Sequence, residues 1–345
     1  MVNVGLIGLG FIGLTHLDVY QKLSNARVVA ISDKIPGRLN GSERMAGNIE
    51  GQAQGGFDYA SARQYDEGMK LIDDPDVQAV DICLPTPLHV PYAIAALKKG
   101  KHVLSEKPMA RDSKSARQYV AAAKKAKTVA MVALCMRFWP GWDWLKEAIR
   151  DGRYGKVRSA IFRRLCVIPK TPLYFDPDAC GGAILDLHIH DVDFIQYLFG
   201  MPRSVFARGY SHYTAGIDHV VAHYEYDDVP LVVAEGGWSM SKTFLFTMQY
   251  TINFERATAT YVIGEKLPLT ICENDKPPHH PELRPGMGYQ YEIEYFLKCI
   301  ETGTRPTTVT IEDAARAVTI VEAATKSVRT GKVVRVPAPR PSAAG

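Results

Sequence analysis

The sequence shows few of the features that mark secreted, membrane-spanning or nucleic-acid-binding proteins. Its six cysteines are scattered without a CxxC pair, which favours buried thiols in a reducing compartment over disulfides or a zinc finger. No apolar run approaches the roughly 20 residues needed to cross a bilayer. The N-terminus has neither a basic leader nor a small-residue cleavage site. We therefore expect a cytoplasmic protein with no membrane partner.

The sequence also has little excess charge of either sign. The formal net charge is +4 over 345 residues, and the basic clusters "KKGK" (98–101) and "RR" (163–164) are short. Because no aromatic-interleaved basic stripe accompanies them, we expect no nucleic-acid partner. The rest is ordinary for a globular chain, with 46% apolar and 23% charged residues, and the length suits two domains.

The first third of the chain alternates strand and helix. Predicted strands are "NVGLIGLG" (3–10), "ARVVAISD" (26–33), "AVDICLPT" (79–86), "KHVLSEKP" (101–108) and "TVAMVALCMR" (128–137), with helical segments between most of them. This rhythm predicts a doubly wound parallel sheet. After about residue 140, short strands follow one another with tight turns. We predict an α/β protein, with a doubly wound domain over 1–127 and an α+β domain with a large open, mainly antiparallel sheet over 128–345.

A glycine turn follows the first strand. "GLGFIG" places Gly8, Gly10 and Gly13 in the spacing GxGxxG, directly before a predicted helix. This spacing gives a tight turn, close approach of the backbone to a pyrophosphate, and tight packing of helix on strand. Phe11 and Ile12 lie within the turn, where the helix N-terminus offers free N–H groups to phosphates. The motif predicts a dinucleotide-binding Rossmann domain.

An acidic residue indicates which dinucleotide binds. Asp33 stands 20 residues after Gly13 at the end of the second strand, where its carboxylate can accept hydrogen bonds from the ribose hydroxyls. A carboxylate there repels a 2′-phosphate, so NAD is favoured. The neighbouring cations Lys34 and Arg38 could bind a 2′-phosphate, so NADP remains an alternative cofactor.

A lysine precedes a proline at the end of another central strand. Lys107 lies between Glu106 and Pro108, at the edge where ligands of parallel sheets bind. Proline restricts the residue before it to extended conformations. Beside a nicotinamide cation, Lys107 would have a lowered pKa and could relay protons. A surface lysine paired with Glu106 is the alternative.

The run "GGAILDLHIHDVDF" (181–194) is rich in acids and histidines. A helix over 183–199 places Asp186, His190 and Asp193 within about 60° of one another. The other faces are apolar, which is typical of a buried helix, so these ionisable groups must be paired or line a cavity. Proton handling with substrate orientation, a satisfied core network and a metal site all remain open. We expect no metal, since His188 and His190 lie on opposite sides of a helix.

Four motifs together resemble the glucose–fructose oxidoreductase / inositol dehydrogenase / rhizopine-catabolism (Gfo/Idh/MocA) family: "GLIGLGFIG", "PTPLH" (85–89), "GKHVLSEKP" (100–108) and "GGAILDLHIHDVD" (181–193). The resemblance covers nearly the whole chain. It implies that Lys107 assists proton transfer at the nicotinamide, that Asp186 contacts substrate, and that His190 is the general acid/base.

The same resemblance implies further binding residues. The turn along the cofactor contains Leu84, Pro85, Thr86 and His89, and Glu106 matches the neighbour of the nicotinamide ribose. Arg137 has a family counterpart near cofactor and substrate, although a structural role is equally open. Apart from the resemblance, the rings of Trp139 and Trp142 could pack against the C–H face of a sugar, with core packing as the alternative. Tyr289 opens a helix that approaches the cleft in the family. His188 departs from the family's small residue and is a weaker substrate-site candidate.

These residues predict an NAD(P)-dependent oxidoreductase that moves a hydride between a secondary hydroxyl of a sugar or cyclic polyol and nicotinamide. An NAD-dependent glycoside hydrolase or lyase with transient sugar oxidation is one alternative. A non-enzymatic dinucleotide-binding regulator is another, although a regulator would not need Lys107, Asp186 and His190 together. The second domain's sheet exposes an apolar face, which predicts a homodimer or homotetramer.

Overall fold

The computed structural model describes residues 1–43 and 56–337. The chain packs as two compact units, unit 1 comprising Met1–Trp139 with Gly286–Ala315 and unit 2 comprising Pro140–Pro285 with Arg316–Gly345. The boundary suggested between residues 127 and 128 falls before the strand Ala130–Ala133, which pairs in the sheet of unit 1. Unit 1 therefore continues past that boundary and includes a second segment from late in the chain.

The strands are β1 Val2–Ile7, β2 Ala26–Ser32, β3 Arg63–Tyr65, β4 Ala79–Ile82, β5 His102–Glu106, β6 Ala130–Ala133, β7 Val157–Leu165, β8 Ser204–Tyr210, β9 His219–Glu225, β10 Leu231–Gly237, β11 Thr247–Phe254, β12 Ala257–Val262, β13 Leu269–Glu273 and β14 Val334–Arg335. The α-helices are α1 Phe11–Lys22, α2 Pro36–Leu39, α3 Gly68–Asp73, α4 Thr86–Lys98, α5 Ser113–Lys125, α6 Trp142–Arg150, α7 Pro172–Phe175, α8 Pro177–Cys180, α9 Ala183–Asp186, α10 Ile189–Phe199, α11 Gly288–Thr302 and α12 Ile311–Thr330. Short 3-10 helices cover Tyr59–Ser61 and Cys135–Phe138.

The sheet of unit 1 has six parallel strands in the order β3-β2-β1-β4-β5-β6. Its central strands are apolar runs because helices cover both faces, and β4 is buried at every position. The direction of winding reverses between β1 and β4, and ligands of such sheets bind beyond the carboxyl ends of the strands at that point. The predicted doubly wound fold is confirmed.

The sheet of unit 2 has eight strands in the order β13-β12-β11-β7-β10-β9-β8-β14. Only β7 and β10 pair in parallel among the strands described, so the predicted mainly antiparallel sheet is confirmed. Alternate residues of β7 and β11 point into the core. There the ring of Trp142 packs against Phe162, Phe194 and Tyr250 at centroid distances of 5.7, 4.9 and 5.4 Å.

All six cysteines are free thiols, five of them buried and Cys272 exposed. Within residues 1–43 and 56–337, no helix combines the length and the apolarity that crossing a bilayer requires.

Candidate active site

The glycine turn after β1 requires its glycines. Gly8 has φ of +95°, and a Cβ there would lie 2.4 Å from the carbonyl oxygen of Cys83. A Cβ on Gly13 would lie 1.9 Å from the carbonyl oxygen of Gly8. Gly10 is the N-cap of α1, and Phe11 and Ile12 form its half-buried first turn. The cradle therefore has the close-packed backbone that a pyrophosphate site needs.

The carboxylate of Asp33 is oriented towards this turn. Its Oδ2 accepts a hydrogen bond of 2.8 Å from the N–H of Leu9, and its Oδ1 accepts one of 2.9 Å from the N–H of Ile35. The guanidinium of Arg38 lies 3.4 Å from Oδ2, whereas Lys34 is exposed. Asp33 thus lies at the carboxyl edge of the sheet, where a ribose hydroxyl is expected.

Two turns at this edge are tied together by His89. The Nδ1 of its buried imidazole lies 2.7 Å from the carbonyl oxygen of Pro108, and its Nε2 lies 2.6 Å from that of Leu84. Burial lowers the pKa of His89, and the two carbonyls oppose that shift. Pro85 is the N-cap of α4 and Thr86 its first residue. The ring therefore connects the turn after β4 with the turn after β5.

Lys107 follows directly on β5, and its side chain is half-buried. Its backbone N–H donates to Oε2 of Glu106 at 3.0 Å, and the peptide bond to Pro108 is cis. Glu106 itself is buried, with 6% of its surface exposed. The Lys107 side chain thus starts from the sheet edge at which Gly8 and Asp33 also lie.

Glu106 belongs to an acid cluster that the motifs did not reveal as a group; the cluster consists of His16, Asp81, Glu106 and Glu292. The Nδ1 of His16 lies 2.9 Å from Oδ2 of Asp81, and its Nε2 lies 3.3 Å from Oε1 of Glu106. Glu292, on α11, is fully buried. Asp81 could have indicated this cluster from the sequence, because a carboxylate inside the apolar run "AVDICLP" requires a buried partner.

Burial determines how these groups ionise. Burial lowers the pKa of His16, but the charge and hydrogen bond of Asp81 together with the contact to Cys83 outweigh it, so the pKa lies well above the ordinary value. Burial raises the pKa of Glu292, and the nearby charge of Glu106 raises it further. The imidazolium of His16 thus lies between two carboxylates, and Glu292 favours its neutral form.

In unit 2, the predicted helix over 183–199 is interrupted. It divides into α9 and α10, and the N–H of His188 bonds the carbonyl of Ala183, five residues back, at 2.8 Å. Such locally widened turns are frequent at functional sites. Asp186 ends α9 and His190 lies in the first turn of α10, and both side chains are half-buried. The family resemblance implies that these two residues contact substrate.

His188 points elsewhere, which corrects its inclusion among substrate-binding candidates. Its ring is fully buried, stacks with Tyr224 and lies with Nε2 2.9 Å from the tyrosine hydroxyl. A Cβ on Gly236 would lie 2.5 Å from its Nδ1, so the imidazole fills the space above a glycine of β10. Burial, followed by repulsion from Arg164, lowers the pKa of His188 to about 3.

The remaining acids of the run belong to the core. Asp191 accepts two hydrogen bonds from the guanidinium of Arg164, 2.8 Å from Nε and 3.0 Å from Nη2. Asp193 is 1% exposed and accepts a hydrogen bond from Gln196. Asp191 and Asp193 therefore belong to a hydrogen-bonded network in the core, one of the alternatives left open for this run.

Arg137, Trp139 and Tyr289 have structural contacts within unit 1. The Nη1 of Arg137, 3% exposed, donates to the carbonyl of Thr308 at 2.7 Å and to Asp313 at 3.0 Å. The Trp139 ring is 6% exposed and packs edge-on against Tyr289, with centroids 5.7 Å apart. These contacts favour the structural alternatives for Arg137 and Trp139, while Tyr289 is half-buried.

Comparison with known proteins identifies the family to which the chain belongs. Residues 2–134 match the model of the Gfo/Idh/MocA oxidoreductase family with its NAD-binding Rossmann fold, and residues 142–260 match the C-terminal domain of the same family. The chain belongs to this family, and the resemblance inferred from the motifs is confirmed. NAD is the cofactor for which the family's N-terminal domain is named.

Individual relatives can be named. Myo-inositol 2-dehydrogenase of Thermotoga maritima is 32% identical over 60% of this chain, and the match spans 58% of that relative's length. Inositol 2-dehydrogenase of Rhizobium meliloti is 26% identical over 95% of this chain and 97% of its own. Among solved structures, a levoglucosan dehydrogenase complex with NADH and levoglucosan has a TM-score of 0.83 at 22% identity, covering 97% of this chain and 99% of that one.

Proposed function

We propose that this protein oxidises a secondary hydroxyl of a sugar or cyclic polyol, or reduces the matching ketone, with NAD as hydride carrier. The observation that supports this most is the position of Lys107 at the carboxyl end of β5, on the edge that also carries the glycine cradle and Asp33. The names of the relatives support the substrate class, since two are inositol dehydrogenases and one was solved with levoglucosan.

Each proposed residue has a separate role. Nicotinamide supplies the hydride chemistry when it is bound. His190 accepts the proton of the substrate hydroxyl, Lys107 polarises the same oxygen and relays charge, and Asp186 binds a neighbouring hydroxyl and orients His190. The Gly8 and Gly13 cradle would hold the pyrophosphate, since the backbone there leaves no room for side chains. The turn at Leu84, Pro85, Thr86 and His89, together with Glu106, would contact the rest of the cofactor.

A substrate panel tests the proposal. Purified protein is incubated with NAD and a set of inositols, aldoses and glycosides, and NADH is followed by its absorbance. Lys107→Ala should lower turnover by about 100-fold or more and leave NAD affinity nearly intact, since general acid–base groups contribute about that much. Lys125→Ala, an exposed lysine at the end of α5, is the matched control. Unchanged turnover in Lys107→Ala would refute the assignment.

We also propose that a second copy of this chain covers the outer face of the sheet of unit 2. Ile161, Val221 and Leu231 are 44%, 42% and 39% exposed. Val233, half-buried, lies opposite Ile161 in the parallel β7–β10 pair, so apolar side chains of neighbouring strands share this face. Val221→Asp should shift light-scattering mass from oligomer to monomer, while Leu267→Asp, which alters an exposed residue in a turn, should not. A monomeric wild-type protein would contradict this proposal.

A further inference from the structure

The acid cluster has more negative groups than positive partners. It gathers side chains from α1, β4, β5 and α11, and the ligand atoms of His16, Glu106 and Glu292 lie within 4.8 Å of one another. None of its four members is more than 6% exposed. In the described part of the chain, Asp81 and Glu106 lie 2.9 and 3.3 Å from the ring nitrogens of His16, and neither carboxyl oxygen of Glu292 has a hydrogen-bond partner. Three carboxylates therefore share one imidazole.

Such a cluster must hold protons, because isolated charges are too costly to bury. One proton makes His16 an imidazolium between Asp81 and Glu106. The second belongs on Glu292, because neither of its buried carboxyl oxygens accepts a hydrogen bond from a described residue. The hydroxyl of Tyr20 donates a hydrogen bond to Oδ2 of Asp81 at 3.0 Å. With both protons bound, the cluster keeps one negative charge.

We propose that Glu292 exchanges a proton with solvent in step with the charge of the nicotinamide, releasing it when NAD⁺ binds and keeping it when NADH binds. This inference rests on the proposed function, in which the nicotinamide ribose lies beside Glu106. A positive ring there favours a second negative charge in the cluster, and that advantage disappears when the ring is reduced. The proton moves from a carboxyl oxygen of Glu292 to a water or buffer molecule, and no electrons move in this step.

The other groups around Glu292 are poor candidates for the same exchange. Burial raises the pKa of the Tyr289 hydroxyl and of the Cys83 thiol, so both stay neutral. Cys135 lies near Tyr289 on the 3-10 helix, where Arg137 is held by Asp313. The imidazolium of His16 keeps its proton, because it lies between Asp81 and Glu106 and its pKa is raised well above the ordinary value. Lys107 could also release a proton to solvent when a cation binds nearby, so the experiment must separate it from Glu292.

Calorimetry of cofactor binding in two buffers of different ionisation enthalpy counts the protons released. For the wild-type protein we expect NAD⁺ to release up to about one more proton than NADH. Glu292→Gln should abolish this difference, whereas Lys107→Ala and Glu301→Gln should retain it. Glu301→Gln is the matched control, since it makes the same change at an exposed position of α11. Equal release in the wild type, or a difference that persists in Glu292→Gln, would overturn the inference.

A second measurement needs no variant. If NAD⁺ releases the extra proton, the affinity for NAD⁺ relative to NADH must rise with pH, by at most about tenfold per unit. A ratio that stays flat from about pH 5 to 9 overturns the inference alone. Stoichiometric metal that disappears in Glu292→Gln also overturns it, since a cation would then neutralise the cluster. Failure of both cofactors to bind overturns the proposed function, and this inference with it.

Discussion

The Nδ1 of His89 lies 2.7 Å from the carbonyl oxygen of Pro108, so a helix that begins after β4 supports the turn that carries Lys107. We expect His89→Phe, which keeps a ring but loses both carbonyl contacts, to lower the free energy of unfolding by about 1–3 kcal/mol. Turnover should fall more than cofactor affinity, because the position of Lys107 is loosened. Urea unfolding and steady-state kinetics measure the two effects. Unchanged turnover alongside a loss of stability would limit His89 to a structural role.

Much of the fold follows from local sequence patterns. The apolar strands β1, β4 and β5 and the glycine turn are recognisable because burial on both faces leaves continuous apolar runs. β3 has only three residues, two of them exposed, so no pattern marks it. The return of Gly286–Ala315 to unit 1 could not be predicted, because it depends on contacts between residues far apart in sequence.

The candidate site was predictable to a smaller extent. Motifs identify Lys107, Asp186 and His190 as candidates, whereas the orientation of His188 depends on the widened turn, which breaks the 100° rotation per residue of a regular helix. The acid cluster joins side chains from four separate elements, so periodicity along one element cannot detect it.

His188 should make stability depend on acidity. Its folded pKa of about 3 lies below that of an unfolded histidine, so the unfolded state binds more protons between about pH 3 and 6.5. The contribution of neutral His188 to the free energy of unfolding is complete above about pH 6.5. It falls by up to about 1.4 kcal/mol per pH unit on acidification. Urea unfolding at several pH values should show a shallower slope for His188→Asn than for wild type. The control His212→Asn, at an exposed position, should keep the wild-type slope.

The ion pair between Arg164 and Asp191 should show strong coupling. Its side chains are 4% and 0% exposed, so removing one partner leaves a buried charge unpaired. Arg164→Met or Asp191→Leu alone should lower the free energy of unfolding by about 3–5 kcal/mol. The double variant should lower it by less than the sum of the two. A double-mutant cycle by urea unfolding measures this. Additive losses would show that the pair contributes no mutual stabilisation.

Asp33 should determine the preference between NAD and NADP. Its carboxylate stands at the end of β2 with Arg38 3.4 Å away, so removing its negative charge removes the repulsion of a 2′-phosphate while a cation stays close. Asp33→Ser should weaken NAD binding and improve NADP binding, shifting the ratio of the two dissociation constants by roughly tenfold or more, which corresponds to about 1.4 kcal/mol. Asp58→Ser, at an exposed acid, is the control. In the double variant Asp33→Ser/Arg38→Ala the gain in NADP affinity should disappear, and its persistence would show that another cation binds the phosphate.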